Sequence, residues 1–277
     1  MTNDEKINIS FKGEFGYEVI LAFPYAYWLY KNNLLGSTIS SKDTKCFYYF
    51  SKLHEEKFDC RRGYLYNSDY GGNDLQGNPN KTIHKSNLDT TKFIMPPYKE
   101  IYKNNLFVFD KPLIMISNKY YSTGRNENRY LNIEILKEIF DILSSKFTIV
   151  YNRALKNNII EDQNLIDEKF EDHNLIKQLN NPNIIDINEL YLGYKNMLSF
   201  NTFQCMLKAN CEKYISVQGG TSIFSSLFGG TNIIYADNCM ETKFNSFNWY
   251  TKLSNADILH VNNYTKLVDY VKYINEI

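Results

Sequence analysis

The sequence predicts an α/β protein built on parallel sheet, in two units that share one plan. Three observations lead there. Short apolar runs of strand length recur at Leu113 to Ser117, Phe147 to Tyr151, Ile184 to Ile187, Tyr214 to Val217, Asn232 to Tyr235 and Ile258 to Val261. Helical periodicity separates several of them, with Ile135, Leu136, Ile139, Phe140 and Leu143 lining one face of a helix over Ile133 to Ser144. Glycine turns join strand to helix at two places, Lys12-Gly13-Glu14-Phe15-Gly16-Tyr17-Glu18 and Gln218-Gly219-Gly220-Thr221-Ser222. Strands alternating with helices favour a parallel sheet covered on both faces.

In chain order, Ile7 to Phe11 alternates apolar and polar residues and reads as the first strand. It runs into the first glycine turn and then an apolar helix from about Val19 to Tyr30, where Pro24 implies a kink or a later start. Cys46 to Phe50 is the next expected strand, and residues 59 to 97 are irregular, marked by Gly71-Gly72-Asn73, Gly77-Asn78-Pro79-Asn80 and Pro96-Pro97. Leu106 to Pro112 marks the boundary between units, placed at 1–110 and 111–277. Beyond it the regular pattern sets in, with a helix from Phe203 to Cys211 capped by Asn201 or Thr202, a short helix opening at Thr221 or Ser222, and a closing helix over Tyr264 to Ile277.

Composition excludes several classes of function. The 31 basic and 31 acidic residues cancel and no basic block occurs, so the whole chain has no electrostatic footprint for nucleic acid. The polar start, Met1 to Lys6, is unlike a signal peptide, and no stretch reaches the ~18 apolar residues of a membrane span. The expectation is a cytoplasmic chain with no transmembrane segment, compatible with a homo-oligomer. Five cysteines without a Cys-x-x-Cys pair fit free, mostly buried thiols. The four histidines are scattered, so no metal site and no cofactor is expected.

The second glycine turn carries the most chemistry. Gly219 and Gly220 allow close approach of the backbone to a ligand, Thr221 and Ser222 offer hydroxyls, and amides at a helix start attract phosphate or carboxylate. A plain connector with glycines for packing is the other reading of the same residues. Lys119 directly follows one strand, Arg125 and Arg129 lie in the loop beyond it, and Arg153 follows another strand. Parallel sheets present ligand-binding groups at that carboxyl edge, although each cation alone also fits a solvated surface.

With both turns in view, the sequence resembles the two-lobed B-type glycosyltransferases, two Rossmann-like domains facing across a cleft. Lys12 to Gly16 is similar to the glycine loop after the first strand of the acceptor lobe in heptosyltransferases and fucosyltransferases, and Ser216 to Tyr235 to the donor-lobe segment that holds the nucleotide-sugar diphosphate. The resemblance implies a hexosyl- or deoxyhexosyl-transferase of polysaccharide biosynthesis, moving sugar from a nucleotide-sugar donor to a hydroxyl of a glycan or other acceptor. The chain lacks the Asp-x-Asp pair with which metal-dependent A-type enzymes hold manganese, which favours the B type; the resemblance implies a metal-independent, inverting transfer.

Such a transfer needs a base and groups to hold the departing diphosphate. Glu14, on the acceptor-side loop between Gly13 and Gly16, is the first candidate base, and Glu18 the second; a solvated or helix-capping carboxylate is the alternative for each. Lys119, Arg125, Arg153, Gly219, Gly220, Thr221 and Ser222 are the candidate donor and phosphate ligands. Tyr120, Tyr121 and Tyr130 offer rings for stacking, while Asp237 and Glu241 offer carboxylates for donor hydroxyls; core packing and an ordinary polar loop are the respective alternatives. Two other functions fit the same pattern, a nucleotide-sugar epimerase and a catalytically silent binding or assembly subunit.

Overall fold

A computed structural model describes residues 6–59, 91–120, 129–155, 158, 169–237, 239–243 and 245–276. They form two parallel sheets. The smaller has the order β1-β2-β3, from Ile7–Ser10, Leu35–Ser41 and His54–Phe58. The larger has the order β6-β5-β4-β7-β8-β9, from Leu113–Ser117 (β4), Thr148–Asn152 (β5), Ile184–Asp186 (β6), Lys213–Val217 (β7), Thr231–Tyr235 (β8) and Asp257–Val261 (β9).

Residues of β4, β5 and β7 alternate between two cores. Met115, Val150 and Tyr214 face one, and Ile114, Ile116, Ile149, Tyr151 and Ile215 face the other. Burial on both sides is what parallel strands with helices on each face require. The outer core is closed by α4 (Ile133–Leu143), α5 (Asp172–Leu179) and α11 (Tyr264–Glu276), whose Leu136, Ile139, Phe140, Leu175, Leu267 and Val271 are buried. The inner core is continuous with the small sheet. It joins Ile9 and Phe11 of the first strand region to Phe203 on α7 (Phe200–Ala209) and Phe224 on α8 (Gly220–Ser226).

The first glycine turn leads into α1 (Phe15–Tyr17), a π-helical turn over Glu18–Ala22, and α2 (Phe23–Lys31). Helix therefore begins four residues before the sequence implies. Pro24 sits in the first turn of α2, where a missing N–H is tolerated.

Other expectations need correction. Cys46 to Phe50 forms turns rather than a strand, with Phe47 stacked on Phe23 at 4.8 Å and 5.3 Å from Phe224. The strand falls earlier, at Leu35–Ser41, and helix α7 is capped by Ser199, whose hydroxyl accepts from Thr202 N. Gly71, Gly77 and Pro79 lie outside the described residues. The four described cysteines, Cys46, Cys205, Cys211 and Cys239, are free and buried. Among the described residues no helix is long and apolar enough to cross a membrane.

Candidate functional site

The large sheet runs β4, β5, β6 outward on one side and β7, β8, β9 on the other, so its strand order reverses between β4 and β7. That reversal opens a crevice at the carboxyl ends of the two strands, the usual ligand position in open α/β sheets. Lys119 follows β4 and Gln218-Gly219-Gly220 follows β7, so both stand at this switch point. The Lys119 ammonium donates to the Gln218 backbone carbonyl, and a Cβ on Gly219 would lie 3.2 Å from Lys119 Nζ. Gly219 has φ +115°, in the region that favours glycine.

The first glycine turn comes to the same place from the small sheet. A Cβ on Gly220 would sit 3.4 Å from Gly16 N, and one on Gly16 3.4 Å from Gly220 Cα. Between Glu14 and Gly16, the Phe15 ring packs edge-on to Phe224 at 5.6 Å, fixing one turn against the helix that follows the other. Glu14 is the N-cap residue of α1 with extended backbone, φ −60° and ψ 140°, and its carboxylate does not cap the helix. Around Lys119, Glu241 and more weakly Glu14 raise the proton affinity of the ammonium. Burial outweighs both: it pushes the Lys119 ammonium down to about 8, assisted by the like charge of Arg129. Gln218, just before the turn, has a buried side-chain oxygen without a hydrogen-bond partner.

The other candidates divide. Ser222 donates its hydroxyl to the Gly219 carbonyl at 2.8 Å, so it braces the turn, and Thr221 next to it is half-buried. Gly13 is buried against the Phe11 ring. Arg125 and Tyr121 lie outside the described residues.

Arg153 departs from expectation. It is 3% exposed, and its Nε and Nη2 donate to Asp172 at 2.5 and 2.6 Å, with Nη2 also reaching the Phe170 carbonyl. Tyr151 donates to the same carboxylate at 2.5 Å, and His173 sits beyond it, bound through Nδ1 to Asp186 at 2.5 Å. The guanidinium therefore neutralises a buried carboxylate and turns away from the switch point. Nothing in the sequence marks Asp172 as its partner.

Glu18 departs too. It is fully buried, and Oε1 accepts from Ser40 Oγ and from Tyr48 OH at 2.9 Å. It lies inside the small-sheet unit, one turn beyond the loop that carries Glu14. Tyr120 is stacked face to face on Phe170 at 4.4 Å with Tyr130 edge-on at 5.0 Å, so protein already covers one face of its ring. Asp237 lines an open cavity of about 490 Å³ with Thr242, His260, Asn262 and Lys266, beyond β8 and β9 and off the switch point. Among the described residues, no group of three or more His, Cys, Asp or Glu side chains could hold a metal ion.

No protein-family model and no curated protein sequence matches the chain. Two solved structures share its fold. The E. coli ADP-heptose LPS heptosyltransferase II aligns over 98% of this chain and 100% of its own, with a TM-score of 0.58 and 7% identity. The E. coli heptosyltransferase WaaC with ADP aligns over 98% of this chain and 97% of its own, with a TM-score of 0.53 and 10% identity. The chain is thus similar in fold to the B-type glycosyltransferases, with two Rossmann-like α/β units. At these identities the likeness establishes the fold alone.

Proposed function

We propose that the protein is a glycosyltransferase that uses a nucleotide-sugar donor and a hydroxyl acceptor. The observation that carries this reading is the meeting of three elements at the switch point: Lys119, the Gly219-Gly220 turn, and the loop bearing Glu14 from the other sheet. A cation beside the amides of a glycine turn suits a diphosphate, and a carboxylate on the loop that meets that turn suits the base of a transfer reaction. The fold shared with two heptosyltransferases supports the same conclusion.

On this reading residues 1–110 form the acceptor side and 111–277 the donor side. As a donor diphosphate arrives, the Lys119 ammonium exchanges the Gln218 carbonyl for phosphate oxygens, and the Gly219, Gly220 and Thr221 amides offer further hydrogen bonds. Arg129 adds positive charge nearby. Glu14 takes the proton of the acceptor hydroxyl as its oxygen bonds to the anomeric carbon on the face opposite the departing nucleoside diphosphate, a single displacement that inverts the centre; in this reading Lys119 and the turn amides, rather than a metal, hold the diphosphate. Charge-assisted hydrogen bonds to the leaving diphosphate strengthen as the glycosidic bond breaks, and this is where such a site lowers the barrier.

The test is donor consumption over a panel of nucleotide sugars, led by ADP-sugars and including GDP-, UDP-, CMP- and dTDP-sugars, alongside thermal shift with the matching nucleotides. A melting temperature raised by one nucleotide, together with donor turnover, supports the proposal. Absence of both across the panel overturns it. Turnover of donor alone into an isomeric nucleotide sugar would identify an epimerase instead, and nucleotide binding without turnover a silent binding subunit.

A further inference from the structure

Glu18 is a buried carboxylate that the proposed chemistry does not use. Burying a carboxylate costs free energy unless hydrogen bonds compensate it, and here Ser40 and Tyr48 supply them from β2 and from the turn that follows. Two further facts set the group apart. Glu18 is the first residue of the π-helical turn Glu18–Ala22, and π turns inside helices concentrate at functional sites. The amides of Tyr17 and Glu18 both donate to the Glu14 carbonyl at 3.2 Å.

From this geometry we infer that Glu18 is a positioning residue for Glu14. Its carboxylate is pinned to the small sheet by Ser40 and Tyr48, and its main chain closes the turn that starts at Glu14. The backbone at Glu14 is thereby held extended, with Phe15 seated on Phe224 and Phe47, each at 5.6 Å. Releasing Glu18 lets the π turn relax to ordinary helix, shifts the register of the preceding residues and moves the Glu14 carboxylate. Glu18 itself transfers no proton, since its carboxylate is sealed within the small-sheet unit.

The inference rests on the proposed function only for its kinetic part, so the test has two readouts. The first is the 19F resonance of 4-fluorophenylalanine at Phe15, which reports the loop whether or not the protein turns over a sugar. Glu18→Gln keeps an oxygen able to accept from both Ser40 and Tyr48, so the resonance stays at its wild-type position. Glu18→Ala and the double variant Ser40→Ala/Tyr48→Phe displace or broaden it, with the melting transition still cooperative.

The second readout is turnover of the donor identified in the panel. Glu18→Gln retains kcat to within about threefold, whereas Glu14→Gln loses about 100-fold or more, the scale of a removed general base. Glu18→Ala lowers kcat about tenfold or more with little change in nucleotide affinity. A Glu18→Gln protein as inactive as Glu14→Gln with an unmoved resonance would make Glu18 the base and overturn the inference. An unmoved resonance in both Glu18→Ala and the double variant would overturn it as well. Failure of every nucleotide sugar with a displaced resonance would remove the glycosyltransferase reading and leave the positioning role standing.

Discussion

Lys119 and Arg153 are both cations just past the carboxyl end of a strand of one sheet, two residues beyond β4 and one beyond β5. Their environments are opposite. Lys119 is half-buried at the strand-order reversal, where it donates to a neutral carbonyl and carboxylates act on it from both units. Arg153 stands one strand away, sealed in a bidentate pair with Asp172 that a tyrosine reinforces. A cation on a neutral carbonyl can exchange it for a ligand at modest cost. A cation committed to a buried carboxylate cannot leave without exposing an uncompensated charge. The offset of one residue past the strand separates them: Ser117 pairs with Asn152, so Lys119 continues the face of Met115 and Arg153 the opposite face, that of Tyr151.

The sharpest way to break that contrast is to remove each group in turn. Arg153→Ala should destabilise the protein by about 3–5 kcal/mol, the scale for removing one member of a buried pair. The measurement is urea unfolding, with nucleotide affinity under native conditions expected to hold. If affinity collapsed while stability held, Arg153 would be a ligand group after all.

Glu14→Gln should lower kcat by about 10²- to 10⁴-fold at an unchanged melting temperature. A variant with full turnover removes Glu14 as the base.

Lys119→Met should weaken nucleoside diphosphate binding about 10- to 100-fold, as expected for losing a hydrogen bond to a charged group. Titration calorimetry across pH sharpens the point. The Lys119 ammonium has been pushed down to about 8, so its positive charge is present below that value and is lost as pH rises through it. Diphosphate affinity should fall over the same interval in the wild type and stay flat in the variant.

The smallest effect concerns Lys208, fully buried against Ser225 Oγ at 2.8 Å and the Phe224 ring at 4.9 Å. Burial pushes it down to about 8 from its ordinary 10.5. The folded state therefore binds fewer protons than the unfolded chain between those values, and stability rises as pH climbs through that window. Lys208→Met, of similar volume and without the buried charge, should be neutral to stabilising at pH 7, because it removes the desolvation cost of the ammonium. It should also flatten part of the alkaline rise. An unchanged slope would mean that Lys208 does not contribute to it.

The large sheet was legible because its central strands bury both faces, so Ile114 to Ile116 and Ile149 to Tyr151 read as unbroken apolar runs. The small sheet was legible in its first strand, Ile7–Ser10, and hidden in the other two. Its second strand buries hydroxyls, with Thr38 hydrogen-bonded to Ser51 and His54 and Ser40 to Glu18, so it carries little apolar signal. Its third strand lies at the sheet edge and exposes Glu55, Glu56 and Lys57. The aromatic run Cys46 to Phe50 mimicked a strand because rings that stack in turns share a strand's composition. At the site, Lys119 and the Gly219 turn were legible from their positions after strands. The pairing of Arg153 with Asp172, 19 residues on, depends on tertiary placement that no local pattern encodes.

The inner core carries a consequence for how the molecule comes apart. Phe15, Phe23 and Phe47 from the small-sheet side interleave with Phe224, and Tyr98 stands 6.0 Å from Phe228, so the two sheets share one apolar interior. Units joined in this way melt together. Calorimetry should show a single endotherm whose van't Hoff and calorimetric enthalpies agree. A fragment beginning near residue 111 should be insoluble or partly unfolded, because the surface that Phe224 and Phe228 present to Phe15, Phe47 and Tyr98 would be stripped bare.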